Sequence, residues 1–546
     1  MIEVRKRCVK SRLINENCSG DCSFWQVALY LNCPVLPSLN KIVQTCANLC
    51  LKQIGPNCDP AFVTNTAVQS SSATSADAAM EQNPQVRQSP VQPLNLSSVL
   101  TWSGVAVLSF HLAYSTPYLA VLTVVYVFAL LQLMRTRKAR QSFYFSLGVG
   151  MLIAGPQLSC FWILFGPSSI ALWLILAFWV ALFVALGRLC LMRFGNLVGG
   201  LLLPFLWTGL EYFRGELYYL RFSWLNIGYA FSDSAYAALL KFVGMYGIGF
   251  LVMSIATMIC LLGFKRGGLW IAATASAIAV FCLIWFFAFA PYEKFKELRI
   301  QVAGVQLEFP TEDEVISALD KLIEAKPKTE VIVLCEYAFL GTIPESVQAW
   351  CKEHQRYLVA GGKDPLPSGD FYDTAFVIGT NGNIVFKQGK SVPVQFLKDG
   401  LPAKEQKLWE SPWGKIGICI CYDLSYTRVT DRLVRLGAQA LIVPTMDVVE
   451  WGRHEHELHA RVARIRAAEY GIPIFRVASS GISQLVDRSG FEWASAGYPG
   501  QKEMLSGTLE LRRSGSTPID RRLGPTSVGL SGLMILFLVA RRVLPL

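Results

Sequence analysis

The sequence predicts a polytopic α-helical membrane domain joined to a layered α/β domain. Of the 546 residues, 53% are hydrophobic and only 16% are charged, whereas ordinary soluble domains carry roughly 25% charged residues. The apolar residues are also unevenly distributed, because residues 97–291 contain one long apolar run after another and residues 299–512 alternate short β-rich and helical stretches. Lipid is therefore expected to surround one part of the chain and water the other.

About eight segments are apolar enough to cross a bilayer, whose hydrocarbon core of about 30 Å needs about 20 helical residues. They are 97–114, 117–134, 143–165, 169–192, 197–212, 236–263, 268–290 and 526–543. Seven of them precede the α/β domain and one follows it. The chain therefore divides into four predicted parts, which are an N-terminal segment with a linker (1–96), a membrane domain (97–298), the α/β domain (299–512), and a linker with the last span (513–546).

Lysine and arginine residues in the short connections predict the orientation, since such residues stay on the cytoplasmic side. The basic clusters are Arg135, Arg137, Lys138 and Arg140, then Arg188 and Arg193, then Lys265 and Arg266, then Arg541 and Arg542. They alternate so that both chain ends are cytoplasmic, and the loop 213–235 and the α/β domain are extracytoplasmic. The net charge of +11 does not indicate nucleic-acid binding, because these clusters do not form one basic face.

The N-terminal segment holds two pairs of cysteines, Cys18 with Cys22 and Cys46 with Cys50. Each pair has C-x3-C spacing, whereas zinc sites usually use C-x2-C, so a zinc site and a plain accessory segment both stay open. Residues 64–98 are rich in Ser, Ala, Gln and Pro, a composition typical of a disordered linker.

Short apolar runs and helical periodicities alternate through the α/β domain, as expected for a layered fold. The predicted strands are 299–306, 331–336, 357–361, 372–379, 384–388, 415–421, 439–443 and 473–479. The predicted helices are 313–325, 345–354, 428–436 and 455–470.

Three polar residues lie where predicted strands end: Glu336, Lys390 and Cys421. A carboxylate can take the proton of a thiol whose ordinary pKa is about 8.5, and a cation can stabilise first the thiolate and then an oxyanion. This chemistry requires no metal or cofactor. From the residues alone, Cys419 competes equally with Cys421, and a buried cysteine is more often a small core residue.

The histidines at His454, His456 and His459 do not predict a metal site. A zinc-binding His-Glu-x-x-His helix needs a second histidine four residues after the first, and those positions are Leu458 and Ala460.

The α/β motifs resemble the nitrilase, or carbon–nitrogen hydrolase, superfamily. The stretches that carry the resemblance are Gly417–Asp423, Gly437–Thr445, His459 with Arg466–Glu469, and Ser480–Ser483. The resemblance implies a nitrilase-like αββα sandwich and a Glu336, Lys390 and Cys421 triad, with Tyr422 and Asp423 in supporting roles. On a helix, Arg466 and Glu469 are three apart and are expected to pair structurally.

The membrane motifs narrow this resemblance to the apolipoprotein N-acyltransferase family. They are Trp207–Gly215, Phe222–Tyr229 and Gly244–Phe250. The resemblance implies a bacterial inner-membrane enzyme with an extracytoplasmic catalytic domain. It would move an acyl group from a phospholipid to a diacylglyceryl-lipoprotein through a cysteine thioester. Trp224, in the outward loop, is either an interface aromatic or a substrate contact.

The sequence departs from the family pattern beside the triad. Cys335 replaces a proline, Gln395 replaces a proline, Lys398 replaces a glutamate for which Asp399 can substitute, and Met446 replaces an asparagine. These changes bear on substrate positioning more than on the triad. Two alternative functions stay open: a membrane-tethered amidase or nitrilase that gives its acyl group to water, and a catalytically silent membrane protein that only binds partners.

Overall fold

The computed structural model describes residues 93–262, 298–500 and 502–543. The two N-terminal cysteine pairs and the predicted span 268–290 lie outside the described residues. The structure therefore does not test the zinc alternative or the total number of spans.

Six helices precede the α/β domain in the described residues. They are α1 (Leu96–Ser115), α2 (Leu122–Leu133), α3 (Ala139–Gln157), α4 (Cys160–Phe165), α5 (Ser169–Tyr212) and α6 (Ala237–Leu262). Gly195 has φ 75° and interrupts α5 at the boundary predicted between the fourth and fifth spans. The predicted span 143–165 is divided between α3 and α4.

Four described segments are long and apolar enough to cross a membrane: Leu96–Ser115, Cys160–Leu217, Ser234–Leu262 and Asp520–Ala540. The last belongs to α11 (Asp520–Val543). Helix α2 is apolar but shorter. The membrane character of this half is confirmed, and the count of eight spans stays a prediction.

Among the described residues, the α/β domain contains twelve strands and four α-helices. The strands are β1 (Leu298–Val305), β2 (Val331–Val333), β3 (Tyr357–Pro365), β4 (Phe371–Ile378), β5 (Ile384–Gly389), β6 (Leu408–Ser411), β7 (Gly414–Ile418), β8 (Ala440–Thr445), β9 (Ile474–Ala478), β10 (Ser483–Val486), β11 (Glu492–Ala496) and β12 (Met504–Leu511). The helices are α7 (Glu312–Ala325), α8 (Glu345–His354), α9 (Thr427–Leu436) and α10 (Arg453–Tyr470).

The twelve strands form two six-stranded sheets, with orders β12-β1-β2-β3-β4-β5 and β11-β10-β9-β8-β7-β6. Apolar residues of the two sheets, such as Val333 and Ile442, share one core. Helices α7 and α8 pack on the first sheet through a separate core. Helices α9 and α10 pack on the second sheet in the cluster that continues into the membrane helices. This αββα sandwich confirms the predicted fold class.

The second sheet and the membrane helices are held together at helix α10. Glu469 pairs with Arg466, as predicted, and also with Arg521 of α11. Its Oε1 accepts the backbone N–H of Met245 at 2.7 Å, next to the interruption of α6 at Gly244. The sandwich is therefore fixed on the membrane domain with the C-terminal edge of β7 and β8 close to it.

Candidate active site

The fold brings together the three predicted residues from the ends of three strands. Glu336 follows β2, Lys390 follows β5 and Cys421 follows β7; they are 1%, 1% and 5% exposed. The ammonium of Lys390 donates to Glu336 Oε1 at 2.6 Å. Cys421 Sγ lies 3.7 Å from the backbone carbonyl oxygen of Met446. The backbone N–H of Met446 donates to Glu336 Oε2 at 2.8 Å. One peptide segment thus contacts both the thiol and the carboxylate.

The backbone of Cys421 has φ 48°, a left-handed conformation that is uncommon for a residue with a side chain. It begins a short 3-10 turn, Cys421–Ser425, three residues after the end of β7. The turn takes Cys421 out of the strand direction. Such strain at a strand end is typical of functional residues.

Lys390 is surrounded by carboxylates. Besides Glu336, it lies 2.7 Å from Asp399 Oδ2 and 3.5 Å from Asp373 Oδ2. Burial disfavours the ammonium, but Asp399 and Glu336 outweigh burial and hold the pKa of Lys390 well above its usual value. Burial and the neighbouring Glu336 raise the pKa of Asp373, which favours its neutral form. The neighbouring carboxylates therefore keep Lys390 charged although its ammonium is buried away from water.

Asp399 and Asp423 position the segment that carries Lys390. Asp423 accepts the backbone N–H groups of Ser391 and Val392 at 3.0 and 2.7 Å, and burial raises its pKa to about 6. Asp399 accepts the hydroxyl of Tyr337 at 2.8 Å. Asp399 thus lies beside Lys390, and its role as a substitute for the missing glutamate stays a prediction. Asp423 contacts the backbone of the segment that carries Lys390.

A second buried cluster lies beside the thiol and was not predicted from the sequence. His459 Nδ1 is 2.7 Å from Asp447 Oδ1, and the guanidinium of Arg476 donates to the other oxygen of Asp447. The Cys421 thiol, the Asp447 carboxylate and a ring nitrogen of His459 lie within 4.8 Å of one another. Arg476 and His459 outweigh burial and lower the pKa of Asp447, so a protein cation already neutralises this carboxylate.

Trp224 belongs to the site and not to an exposed interface. Its indole stacks on His459 with ring centroids 4.8 Å apart, and Nε1 donates to Ser425 Oγ at 2.9 Å. The ring of Tyr422 packs edge-on against the indole. Its hydroxyl donates to the backbone oxygen of Arg221 at 3.2 Å. The loop of the membrane domain thus forms part of the wall around Cys421.

The thiol faces a cavity of about 130 Å³ that both domains line. Cys421, Tyr422 and His459 come from the sandwich, whereas Phe161, Leu172 and Ile175 are among the residues that come from α4 and α5. Trp224 and Phe396 complete the wall. This lining is apolar at the membrane side and carries the reactive groups at the sandwich side, an arrangement that suits a substrate with long hydrocarbon chains.

Two family profiles match the chain on either side of residue 300. The profile described as "Apolipoprotein N-acyltransferase N-terminal domain" matches residues 103–258, and the profile "Carbon-nitrogen hydrolase" matches residues 301–514. The chain is 25% identical over 374 residues to the apolipoprotein N-acyltransferase of Shewanella oneidensis, covering 59% of this chain and 72% of that protein. The chain belongs to the apolipoprotein N-acyltransferase family.

The chain is also similar to three further proteins. The apolipoprotein N-acyltransferase of Ralstonia nicotianae is 23% identical over 422 residues, which are 70% of this chain and 78% of that protein. The omega-amidase NIT2-B of Xenopus laevis is 28% identical over 114 residues, 19% of this chain and 41% of that protein. The crystal structure of Saccharomyces cerevisiae Nit3, a nitrilase-superfamily member, has 21% identity and a TM-score of 0.34, covering 40% of this chain and 93% of that one.

The departures from the family pattern have local explanations. Cys335, which replaces a proline before Glu336, is buried and lies 2.9 Å from the carbonyl oxygen of Leu307. Met446 contributes its backbone to Glu336 and Cys421, so the loss of an asparagine side chain leaves both contacts in place. Gln395 donates to the backbone oxygen of Tyr219 in the membrane domain, which ties the lysine loop to the loop 213–235.

Proposed function

We propose that this chain is an apolipoprotein N-acyltransferase that moves an acyl group from a phospholipid to the α-amine of a diacylglyceryl-cysteine, with Cys421 as the nucleophile. The observation that supports this function best is the position of the buried thiol, between the Glu336 and Lys390 pair and an apolar cavity lined by membrane helices. A phospholipid ester can reach such a thiol from the bilayer while its chains stay in apolar surroundings.

In the first half-reaction, Glu336 accepts the thiol proton as sulfur attacks the ester carbon. Burial and Glu336 raise the pKa of Cys421, so the resting group is a thiol and proton removal accompanies attack. The ammonium of Lys390 stabilises the oxyanion, an effect worth roughly 3–4 kcal/mol for one donor. The C–O bond breaks, and the lysophospholipid leaves with the proton from Glu336.

In the second half-reaction, the α-amine of the lipoprotein attacks the thioester carbon. The C–N bond forms, Glu336 accepts a proton from the nitrogen, the C–S bond breaks, and the thiolate regains that proton. An α-amine has a pKa of roughly 7.7–8.0, so a reactive neutral fraction exists at ordinary pH. Each catalytic cycle restores the thiol of Cys421 and yields an amide.

The purified full-length protein in phosphatidylglycerol vesicles tests this function. We expect intact-protein mass spectrometry to show a hydroxylamine-sensitive acyl adduct on Cys421, which disappears when a diacylglyceryl lipopeptide is added and N-acyl lipopeptide forms. Acyl adduct that disappears at the same rate without lipopeptide, as fatty acid, would favour a tethered hydrolase. A protein that never forms the adduct would favour a silent binding protein.

We propose that the sandwich lies on the extracytoplasmic side of a bacterial inner membrane, as the basic clusters indicate. A reporter fused at Gly369, in the β3–β4 connection, should report an extracytoplasmic location. A reporter fused at Lys138, before α3, should report a cytoplasmic one. The reverse result would separate Cys421 from lipoproteins and contradict the proposed acceptor.

Trp224→Ala should increase loss of the thioester to water relative to transfer. The indole stacks on His459 and lines the same cavity as Cys421, and exclusion of water protects a reactive intermediate. The ratio of released fatty acid to N-acyl lipopeptide measures the effect. Trp493→Ala, at a side chain that is 69% exposed on β11, serves as the control. An unchanged ratio in Trp224→Ala would remove this tryptophan from the mechanism.

A further inference from the structure

The cavity contains a buried carboxylate that the triad does not use. Glu455 lies in the first turn of α10, is 4% exposed and lines the cavity together with Cys421 and His459. It precedes His459 by four residues on the same helix, so the two side chains share one face with Cβ atoms roughly 6 Å apart. A ring nitrogen of His459 is in turn within 4.8 Å of the Cys421 thiol.

Glu455 has no cationic partner among the described residues. Its Oε2 makes no hydrogen bond and lies 3.4 Å from His456 Nε2. That nitrogen is 3.0 Å from the backbone oxygen of Val448, and burial lowers the pKa of His456, so the ring is neutral. Arg476 is the nearby cation, but its guanidinium is already bound to Asp447 and to the backbone oxygen of Ile482.

The surroundings of Glu455 make an unpaired carboxylate costly. Across the cavity lie Cys160, Phe161 and Leu172 of the membrane helices, and a buried charge without a partner costs several kcal/mol. Burial and the nearby Asp447 raise the pKa of Glu455, which favours the neutral acid until a cation binds. A ligand that carries an ammonium group on an apolar body would supply the missing partner and fill the apolar cavity at the same time.

We propose that Glu455 binds the α-ammonium of the acceptor lipopeptide and takes a proton from it before attack on the thioester. This inference rests on the proposed function, because it concerns the second substrate of the same site. The ammonium, held by Glu455 one helical turn from His459, lies beside the thioester on Cys421. Binding of the ammonium displaces the proton of the resting Glu455 acid to water and forms a carboxylate–ammonium pair. One proton then moves from nitrogen to the carboxylate, which leaves a neutral amine and a neutral carboxylic acid.

The proton balance separates the tasks of the two glutamates. Glu455 removes the first proton and thus generates the nucleophile, and Glu336 removes the second one when the C–N bond forms. After the amide leaves, Glu455 is again the neutral acid, and the next ammonium displaces its proton to water. The ammonium of an aminophospholipid donor has the same chemistry, but glycerol, phosphate and an ethylene group separate its nitrogen from the reacting ester. Only in the lipopeptide is the bound nitrogen also the reacting atom.

The experiment compares full-length wild type, Glu455→Gln and Glu457→Gln in vesicles. Glu457 lies on the same helix but outside the cavity lining, and it pairs with Arg453 at 2.8 Å, so it is the matched control. Acyl-enzyme formation is measured first, with phosphatidylglycerol and with phosphatidylethanolamine as donors. Transfer to a diacylglyceryl lipopeptide is measured next, from pH 6 to pH 9, and binding is compared with that of a lipopeptide in which a hydroxyl replaces the α-amine.

In Glu455→Gln, we expect acyl-enzyme formation at the wild-type rate with both donors and an acceptor KM raised roughly 10- to 100-fold, the range of a lost charged hydrogen bond. The transfer rate of the variant should rise with pH until the amine of the free lipopeptide is neutral, since its pKa is roughly 7.7–8.0. Wild type should already transfer the acyl group at lower pH. The wild-type preference for the amine over the hydroxyl lipopeptide should disappear. Glu457→Gln should behave as wild type.

Three results would overturn this inference. An unchanged acceptor KM and pH profile in Glu455→Gln would show that the carboxylate does not contact the amine. A defect in acyl-enzyme formation with phosphatidylethanolamine alone would assign Glu455 to the donor headgroup. Equal defects in the Glu455 and Glu457 variants would indicate a general effect on α10. Wild type that forms acyl-enzyme but releases fatty acid only would instead refute the proposed function.

Discussion

Replacement of Cys421 by alanine is expected to abolish both acyl-enzyme formation and lipopeptide acylation. Removal of a covalent nucleophile costs roughly 10⁴-fold or more, and neither half-reaction can proceed without the thioester. Intact-protein mass spectrometry and a transfer assay with labelled phospholipid measure the two losses separately.

Cys419→Ala is the matched control, two residues earlier in the chain. Cys419 is buried in the core, and burial with the nearby Asp423 holds its pKa well above the usual range, so it is an inert thiol. We expect this variant to retain most of its activity and to lose about 1 kcal/mol of stability. Equal inactivation of both variants in folded protein would mean that the nucleophile has been misassigned.

Lys390→Met should lose acyl transfer and also fold poorly. Methionine preserves the volume but leaves Glu336, Asp399 and Asp373 together in a buried site without a cation. Removal of one partner from a buried ionic cluster costs roughly 3–5 kcal/mol, a large share of the stability of a domain. Thermal unfolding in detergent, together with the acyl-enzyme assay, measures the two effects.

Lys387→Met provides the comparison for this experiment. Lys387 lies three residues earlier on β5, is half-exposed, and pairs with Asp364 at 3.1 Å, and such an exposed pair contributes about 1 kcal/mol or less. Similar unfolding temperatures for the two lysine variants would refute the idea that Lys390 neutralises a carboxylate cluster. Normal acyl-enzyme formation in Lys390→Met would remove Lys390 from oxyanion stabilisation.

Much of the sandwich could be predicted because its central strands are buried on both faces. The eight predicted strands correspond to β1–β5 and β7–β9, and the four predicted helices to α7–α10. Strands β6, β10, β11 and β12 were not among the strands predicted. Three of them have only four or five residues. Strands β11 and β12 contain Ala or Gly, which are depleted in strands, so their local preference is weak until they pair with a neighbour.

The site was only partly predictable for a related reason. Glu336, Lys390 and Cys421 interrupt or end apolar runs, and a polar residue at a strand end is a recognisable signal. Asp373 and Arg476 sit inside apolar strands, and their partners lie far away in sequence, so only the folded chain shows why they are polar. Glu455 carries even less signal, because its neighbours on α10 are also charged or polar and exposure was the simpler expectation.

The anchoring of α10 constrains how the lipids exchange. If the sandwich moved away from the membrane helices, Glu469 and Arg521 would lose partners in a buried network, at several kcal/mol for each unpaired charge. The tip of the loop 391–399 offers a lower barrier, because its Phe396 is 64% exposed and meets Phe165 of α4 only edge-on at 6.1 Å. Turnover is therefore expected to follow microsecond-to-millisecond motion of this loop and not domain separation.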